Sequence, residues 1–428
     1  MKRVLIVVSS YNPAISASMH RVRMLAWHLA DFGWEFDILC PSAEFQQSVW
    51  SDPLSSWLFP AQTHAHHVAP MVTDRLLTSA GIRSGNWRAL WPMYQAGTEL
   101  LSTKRFSLTF MSTTAFNFFC LGRMWLRRCA VPYVLDFQDP WFRKQNRVYT
   151  TRHVLKAKIG NRLSKYLEKY SVEKAAGLIA VSPNYLAELR ERYPLSTAFE
   201  RETTATIPFG AELRDFRIHG AGRAPSLPKN VLNVVYVGVG SVVMKRSFRR
   251  LAHGLRRLRG QHPDLLKGIR FNLYGTDAGW TKSERKILED EGDAAGVGDL
   301  VDEAPRIIPY SESVAILSAS DGVLILGVDE PAYMASKLFP YALSGKPLLA
   351  CIHIDSQMNE YFRKYPELGF VIHFGSSEEQ EIQEDARLLE YLQQVVKRQH
   401  QPRLAVQGAH SAEAMSREIA EFFNRCVS

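Results

Sequence analysis

The fold of this chain is decided by the stretch Gly327-Val-Asp-Glu-Pro-Ala-Tyr-Met-Ala-Ser-Lys-Leu-Phe-Pro-Tyr-Ala-Leu-Ser-Gly-Lys-Pro347. An apolar run at 323–326 precedes it, and a second run at 348–352 follows it. Short apolar runs on either side of a helical segment are typical of strands in a buried parallel sheet. The stretch therefore predicts the order strand, loop, helix, strand.

Within this stretch, a helix is expected over about 336–344. Ser336 is its candidate N-cap, and Gly345 ends it. In a parallel sheet, the N-terminus of such a helix points beyond the strand ends. Its free N–H groups, the Ser336 hydroxyl and the Lys337 ammonium are therefore suited to an anion such as phosphate. The alternative is a solvated helix start with a surface lysine.

Length and composition indicate a globular protein of two domains. The chain has 428 residues, of which 46% are hydrophobic and 22% are charged, so it is long enough for two ordinary cores. The apolar run at the N-terminus is too short for a signal sequence or a membrane span. The five cysteines are scattered and odd in number, which favours neither a disulfide framework nor a zinc site. We therefore expect a cytoplasmic protein with no metal site.

The net charge of +9 is unevenly distributed, and the segment 143–174 is strongly basic. Its apolar residues recur at helical spacing, which predicts a basic amphipathic helix. One interpretation is a solvated helix packed by its apolar side. A second is attraction to an anionic membrane surface or a lipid-linked polyphosphate. Nucleic acid is disfavoured because no reader motif accompanies the charge.

The N-terminal half begins with a strand, helix, strand unit, the usual start of a doubly wound sheet. The strands are expected at 4–8 and 36–40, and the helix near 20–32 with Gly33 as its stop. The first loop lacks a Gly-x-Gly-x-x-Gly sequence, so a dinucleotide there, and with it a dehydrogenase, is disfavoured. Five residues at the start of this helix can contact a phosphate or sugar: Ser16, Ser18, His20, Arg21 and Arg23. The alternative is that they cap the helix or are solvated.

Farther along, two carboxylates follow a predicted strand at 133–135. They belong to the segment Asp136-Phe-Gln-Asp-Pro-Trp141, at a strand end where active sites of open α/β sheets are built. Asp139 is the candidate to contact a hydroxyl or take up a proton, although Asp before Pro is also an ordinary turn former. Residues 41–77 are predicted to be irregular, and their histidines lack metal-ligand spacing.

A linker rich in Gly, Pro and basic residues is expected at 216–230, between domains at 1–215 and 231–405. A second strand and helix series follows it. Its first strand ends in a loop that contains Gly238 and Gly240 and reaches the pair Lys245 and Arg246. Glycines permit close backbone approach, and two cations can neutralise a diphosphate. The surface-charge alternative stays open, since the predicted helix at 247–259 is itself basic.

Four motifs in this order resemble the GT-B retaining glycosyltransferases of family 4. They are Ile179-Ala-Val-Ser-Pro, Thr206-Ile-Pro-Phe-Gly, the Gly238 loop with Lys245 and Arg246, and Ala335-Ser-Lys-Leu-Phe-Pro-Tyr followed by Gly345-Lys-Pro. The resemblance covers nearly the whole chain and implies two Rossmann-like domains facing across a cleft. It also implies a nucleoside diphosphate sugar as donor on the C-terminal domain, an acceptor on the N-terminal domain, and no required metal or further cofactor.

By the same resemblance, Lys245 and Arg246 match the basic pair at the diphosphate. Asp139 matches the polar position near the reacting sugar. The segment from Ser336 to Tyr341 matches the helix beneath the donor phosphates and ribose, with Lys337 within it. The final helix, within 406–428, is expected to cross back to the N-terminal domain.

The sequence departs from the family pattern at the paired glutamates. Pro340 stands where the second glutamate normally holds the ribose, and Ala332 stands at the first position. Losing such a charged hydrogen bond costs about 1.5–3 kcal/mol of binding. Glu330 is the candidate substitute for the sugar contact. The usual glycine pair of the first loop is replaced by Ser16-Ala-Ser18.

The expected function is therefore retaining transfer of a sugar to a glycan or lipid-linked acceptor in cell-surface polysaccharide or glycoconjugate synthesis. The protein is expected in the cytoplasm, with peripheral contact to the inner face of the membrane. The alternatives are a catalytically inactive GT-B-like binding or assembly partner, motivated by the missing carboxylates, and a nucleotide-sugar epimerase. The epimerase is disfavoured because the sequence offers fewer acidic and histidine residues than such a site needs.

Overall fold

The computed structural model describes residues 1–14, 16–43, 52, 55–69, 71, 85–142, 154–217, 227–240, 242–277, 285–331, 335–399 and 408–428. These residues form two compact units. The first comprises Met1–Phe209 and Ala412–Ser428, and the second comprises Gly210–Ser411. Residues 218–226 of the linker predicted at 216–230, and residues 143–153 at the start of the predicted basic segment, lie outside the described residues.

The first unit is built on a parallel sheet of seven strands in the order β3-β2-β1-β4-β5-β6-β7. The strands are β1 Lys2–Val7, β2 Trp34–Pro41, β3 Ala65–Val68, β4 Leu108–Ser112, β5 Tyr133–Phe137, β6 Gly177–Ala180 and β7 Thr204–Thr206. The helices that connect them are α1 Ala17–His28, α2 Gly85–Thr103, α3 Phe119–Cys129, α4 Val154–Val172, α5 Pro183–Arg192 and α6 Thr197–Glu200. The apolar run of β1 is fully buried from Val4 onward, as expected for a strand covered on both faces.

Two local predictions in this unit need correction. The α1 helix begins at Ala17 rather than near residue 20, because the Ser16 hydroxyl accepts a hydrogen bond from the Met19 N–H at 3.1 Å and caps it. Residues 65–68, predicted to be irregular, form the edge strand β3. There the His66 ring is hydrogen-bonded to Asp37 at 3.1 Å, so this polar stretch gains its order from a contact distant in sequence.

The second unit contains a parallel sheet of six strands in the order β10-β9-β8-β11-β12-β13. The strands are β8 Leu232–Val237, β9 Ile269–Tyr274, β10 Val301–Ala304, β11 Gly322–Leu326, β12 Leu348–His353 and β13 Phe370–Phe374. The helices are α7 Arg214–Arg217, α8 Lys245–Gln261, α9 Pro263–Leu266, α10 Ile287–Ala294, α11 Tyr310–Ala319, α12 Leu338–Leu343, α13 Met358–Lys364, α14 Glu378–Gln383 and α15 Asp385–Val396.

Alternate residues of β11 supply the two cores of the second unit. Leu324 and Leu326 pack in the cluster that contains Phe248 of α8. Val323 and Ile325 pack on the opposite face, in the cluster that includes the residues of α12. The continuous apolar run seen in the sequence is therefore buried on both faces of the sheet, as parallel strands require.

The last helix, α16 Ala412–Val427, packs on the sheet of the first unit. Phe423 makes edge contacts with Trp34 and Phe110 at centroid distances of 5.3 and 5.0 Å. Gly177 of β6 lies so close to this helix that an added Cβ would be 2.6 Å from the Phe422 ring. The helix is thus held by aromatic packing against a glycine-lined surface.

Each sheet reverses its strand order once, between β1 and β4 and between β8 and β11. Ligands of open parallel sheets bind beyond the carboxyl ends of the strands at such points. In the second unit, this topology indicates a candidate ligand site at the residues that follow β8 and β11. Within the described part of the chain, no helix combines the length and apolarity needed to cross a bilayer.

Candidate functional site

The loop after β8 brings Gly238 and Lys337 together. Gly238 has φ 130° and donates its N–H to the Tyr274 carbonyl at 2.8 Å. An added Cβ at this position would lie 2.2 Å from the Lys337 Nζ. Only glycine suits both the backbone conformation and this close approach. Two of the residues predicted to bind the donor are therefore neighbours.

Lys337 is a cation held without a carboxylate partner among the described residues. Its Nζ donates to the Tyr236 hydroxyl at 3.0 Å and lies 4.3 Å from the centre of the same ring. The Tyr236 hydroxyl in turn donates to the carbonyl of Val239 in the glycine loop. Burial lowers the pKa of Lys337 to about 7, because desolvation disfavours the ammonium form. An anion placed beside it would restore the charged form.

The glycine loop is braced by two neighbouring strand ends. Gly240 donates its N–H to the Thr276 carbonyl at 3.0 Å, and a Cβ on Gly275 would lie 3.7 Å from the Gly238 nitrogen. The Thr276 hydroxyl donates to the buried Glu303 carboxylate at 2.5 Å. That carboxylate also accepts the first backbone N–H groups of α10. Burial raises the pKa of Glu303 despite these bonds. The network of hydrogen bonds holds the backbone of the glycine loop in place without a ligand.

Lys245 and Arg246 occupy the first turn of α8, which begins at Lys245 and not at the predicted residue 247. Lys245 forms an ion pair with Glu291 of α10 at 2.7 Å. Arg246 forms one with Asp329, beyond β11, at 2.6 Å. The pKa of Glu291 is lowered, chiefly by its hydrogen bond to Arg249. Both predicted diphosphate cations therefore have carboxylate partners, whereas the described residues supply none for Lys337.

The prediction of Ser336 as an N-cap is wrong. The helix α12 begins at Leu338, and the capping position is Lys337, whose side chain makes no capping bond. The Leu338 N–H donates to the Ala335 carbonyl at 3.1 Å, so it is not available to the Ser336 hydroxyl. Ser336 lies exposed in the turn before the helix. The six-residue helix offers far less free N-terminus than the sequence suggested, and the side chain of Lys337 supplies the positive charge.

Tyr341 supports the strand end that carries the glycine loop. Its hydroxyl donates to the Val237 carbonyl at 2.7 Å and lies 2.8 Å from the Val237 nitrogen. The side chain is buried. The structure gives this tyrosine a positioning role, and direct contact with a nucleotide stays a prediction.

The acidic residues after β11 differ in their surroundings. Glu330, the candidate substitute for the family glutamate, is half-buried in the turn after the strand. Asp329 lies between Arg246 and the His353 ring, whose Nε2 is 3.8 Å from the second carboxylate oxygen. The matching family position at 332 lies outside the described residues. Asp329 therefore contacts Arg246, one of the two predicted diphosphate cations.

In the first unit, Asp136 and Asp139 have opposite environments. Asp139 is exposed in the turn after β5. Asp136 is fully buried and accepts hydrogen bonds from Ser112, Gln138 and Arg21. Arg21 is also fully buried, and it donates to the carbonyls of Ile207 and Pro208 as well. The prediction that Arg21 meets a phosphate or sugar is therefore wrong, because its guanidinium is buried and hydrogen-bonded inside the first unit.

The described residues contain no group of three or more His, Cys, Asp or Glu side chains arranged to hold a metal ion. The histidines of β3 are used otherwise, as His66 pairs with Asp37 and His67 lies 3.5 Å from the Cys40 sulfur.

Comparison with known proteins agrees with this architecture. Residues 18–210 match the family model described as a glycosyl transferase 4-like domain. HepE of Anabaena, solved in complex with UDP and glucose, is 14% identical, with a TM-score of 0.62 over 98% of this chain and 99% of that one. This chain has the GT-B fold.

Two further GT-B structures extend the comparison. WaaG, a glycosyltransferase involved in lipopolysaccharide biosynthesis, is 14% identical, with a TM-score of 0.56 over 98% of this chain and 95% of that one. The trehalose-6-phosphate synthase OtsA is 13% identical, with a TM-score of 0.60 over 99% of both chains. No curated protein sequence matches the chain.

Sequence reasoning missed two residues that contact the predicted donor-binding residues. Tyr236 lies in an apolar strand, and its position in the sequence does not predict a contact with a ligand-binding residue. Its hydroxyl accepts a hydrogen bond from Lys337 and donates one to the glycine loop. Asp329 stands three residues before the family position at 332, and the structure pairs it with Arg246. An acidic residue following a strand of this type is the available signal for such a contact.

Proposed function

We propose that this chain is a retaining glycosyltransferase that moves a sugar from a nucleoside diphosphate sugar to a glycan or lipid-linked acceptor. The observation that carries this proposal is the Lys337 ammonium beside Gly238, at the point where the strand order of the second sheet reverses. A half-buried cation without a carboxylate partner in the described residues is suited to a diphosphate. HepE, which shares the fold, has been solved with UDP-glucose.

In this proposal, Lys337 and Arg246 stabilise the departing diphosphate. Negative charge grows on the leaving oxygen in the transition state, so cations fixed at that position lower the barrier more than they strengthen substrate binding. Lys245 contributes to the same field from its place beside Glu291. The glycine loop supplies room for the phosphates, and Glu330 contacts the donor sugar. No metal or further cofactor takes part.

Asp139 is proposed to act on the acceptor side. Its carboxylate is exposed in the turn after β5, a strand end where sites of parallel sheets form. There it contacts the attacking hydroxyl or takes up its proton. Retention at the anomeric carbon is part of the proposal through the resemblance to family 4.

The proposal is tested by donor binding and turnover. Isothermal titration of the whole chain with a panel of nucleoside diphosphates and their sugars should give binding for at least one member. Slow hydrolysis of that donor without an acceptor should then appear and be lost in Lys337→Met. The matched control is Lys346→Met, which removes a lysine at the other end of α12. A panel without any binder would reject the enzyme.

The second candidate is a catalytically inactive GT-B-like protein that serves as a binding or assembly partner. It is favoured by Pro340, which has no side-chain group to hold a ribose where the family pattern has a glutamate. Donor binding with no hydrolysis and no transfer to any glycan acceptor would support this candidate over the enzyme.

We also propose that the protein is cytoplasmic and attaches peripherally to an anionic membrane through α4. The described part of the helix exposes three basic side chains next to two apolar ones: Arg162, Lys165, Lys169, Leu163 and Tyr166. Tyr166 is 66% exposed and Leu163 is 46% exposed. Apolar side chains among lysines on one helix surface suit insertion at a headgroup layer.

Flotation with vesicles tests the membrane proposal. Lys165→Gln should weaken binding to anionic vesicles by about fivefold, since one lysine near such a surface contributes about 1 kcal/mol. Lys267→Gln, at an exposed lysine of the second unit, is the matched control and should bind as the unmodified chain does. Equal flotation with neutral and anionic vesicles would remove this proposal without affecting the donor site.

A further inference from the structure

The contact between Arg246 and Asp329 joins the ends of two neighbouring strands. Arg246 lies in the first turn of α8, shortly after β8, and Asp329 follows β11. These strands are adjacent where the sheet order reverses. The Arg246 Nη1 lies 2.6 Å from the Asp329 Oδ2. A diphosphate entering at this point meets an arginine that already has an anionic partner.

The ion pair is accessible to solvent and can therefore exchange. The side chain of Arg246 is 52% exposed and that of Asp329 is 48% exposed. Exposed pairs of this kind contribute little to stability, because water screens the attraction and both side chains lose freedom. Arginine binds phosphate oxygens through the same paired N–H geometry that it uses for carboxylates. A phosphate can therefore take the place of the aspartate.

The His353 ring lies on the side of Asp329 away from the Arg246 contact oxygen. The Asp355 N–H donates to the His353 Nδ1 at 3.1 Å, so Nδ1 acts as an acceptor. In the neutral ring the hydrogen is then on Nε2, which lies 3.8 Å from the Asp329 Oδ1. This distance is longer than a hydrogen bond, so the carboxylate has to move toward the ring to accept one after it loses the guanidinium.

We propose that Asp329 is a built-in competitor of the donor diphosphate for Arg246. In the free protein the Asp329 carboxylate is paired with the Arg246 guanidinium. On donor binding a phosphate displaces this carboxylate, and the arginine keeps its charge. The inference rests on the proposed donor site and adds a residue that sets its affinity. It also separates the two kinds of cation: within the described part of the chain Lys337 has no carboxylate to release, whereas Arg246 has to exchange partners.

Removal of the competitor should tighten binding. Asp329→Asn keeps the shape of the side chain and removes its charge, so the affinity for UDP and for inorganic pyrophosphate should rise by about two- to fivefold, the range expected for an exposed ion pair. The measurement is isothermal titration of the whole chain at low salt. Asp355→Asn is the matched control, because it removes the same charge from the other side of His353, and it should change either affinity less than twofold.

The double variant Arg246→Met/Asp329→Asn tests whether Asp329 acts by competing for Arg246. The other possibility is that its negative charge merely lowers the electrostatic potential at the site. In the Arg246→Met background, Asp329→Asn should bring no gain, since the contested guanidinium is absent. An Asp329→Asn variant that binds no more tightly than the unmodified chain overturns the inference, and so does an equal gain in the Arg246→Met background. If the unmodified chain and all variants bind neither probe, the proposed donor site fails together with it.

Discussion

Arg21→Met is expected to destabilise the first unit by about 3–5 kcal/mol, the usual cost of leaving one charge of a buried ion pair without its partner. Arg21 and Asp136 are both fully buried, with Nε and Oδ2 3.3 Å apart. The substitution also leaves the carbonyls of Ile207 and Pro208 without the donors that Arg21 now provides. Hydrogen exchange should therefore accelerate in β4 and β5 while β8 and β11 stay protected.

The control for this prediction is Arg3→Met, which breaks the exposed ion pair with Glu35 and should cost about 1 kcal/mol or less. The double variant Arg21→Met/Asp136→Leu removes both charges and should recover much of the loss, because an apolar pair of similar volume avoids the desolvation penalty. Exchange in β4 and β5 as slow as in the unmodified chain would show that the pair does not hold this unit together.

Lys337→Met is expected to weaken binding of a nucleoside diphosphate sugar by about 10- to 100-fold, the range for losing a hydrogen bond to a charged group. The side chain of methionine retains much of the volume beside Gly238, so the glycine loop should keep its conformation. Titration calorimetry gives the affinity. A variant with the affinity of the unmodified chain would place the diphosphate elsewhere.

The same lysine predicts a pH dependence. Since burial lowers its pKa to about 7, the free protein loses the ammonium as the pH rises through neutrality. The diphosphate of a nucleotide sugar is fully ionised in this range, so its affinity should fall about fivefold between pH 7 and pH 8, with proton uptake on binding. In Lys337→Met, this part of the pH dependence should disappear, whereas Lys346→Met should retain it.

Stability should respond to pH in the opposite sense. The unfolded chain keeps a lysine of ordinary pKa, so between about pH 7 and pH 10.5 it binds more protons at this residue than the folded chain. Lys337 therefore makes the folded state relatively more stable as the pH rises through that window. Lys337→Met removes the burial penalty and should raise the melting temperature at neutral pH, measured by calorimetry, while it impairs donor binding. Such an exchange of stability for binding is typical of functional sites.

The charged residues show where sequence reasoning reached its limit. Their positions after strands identified Lys245, Arg246 and Lys337 as candidates, since parallel sheets gather such residues at one edge. Spacing along the chain does not state which carboxylate each cation meets. Lys245 pairs with Glu291 and Arg246 with Asp329 through contacts between segments distant in sequence. The sequence treated these cations alike, and the structure distinguishes them.

The helix after β11 illustrates the same limit at the level of local structure. The order of serine, apolar residues and glycine predicted its existence and its end correctly. Its start depended on the Ala335 carbonyl, which takes the Leu338 N–H that an N-cap at Ser336 would have used. Boundaries of this kind are set by competition between several weak hydrogen bonds, which a pattern of residue types does not resolve.

By itself, the sequence determined two parallel α/β sheets, because continuous apolar runs separated by helical segments have few other ways to be buried. It also determined which strand ends carry glycines and cations. Only the tertiary structure decided that the Arg21 guanidinium is buried inside the first unit. It also decided that Tyr236 and Gly238 contact Lys337 and that Asp329 forms an ion pair with Arg246. The physical reason is that burial follows from the local pattern of apolar residues, whereas the partner and the pKa of a charged group depend on side chains that folding brings in from elsewhere.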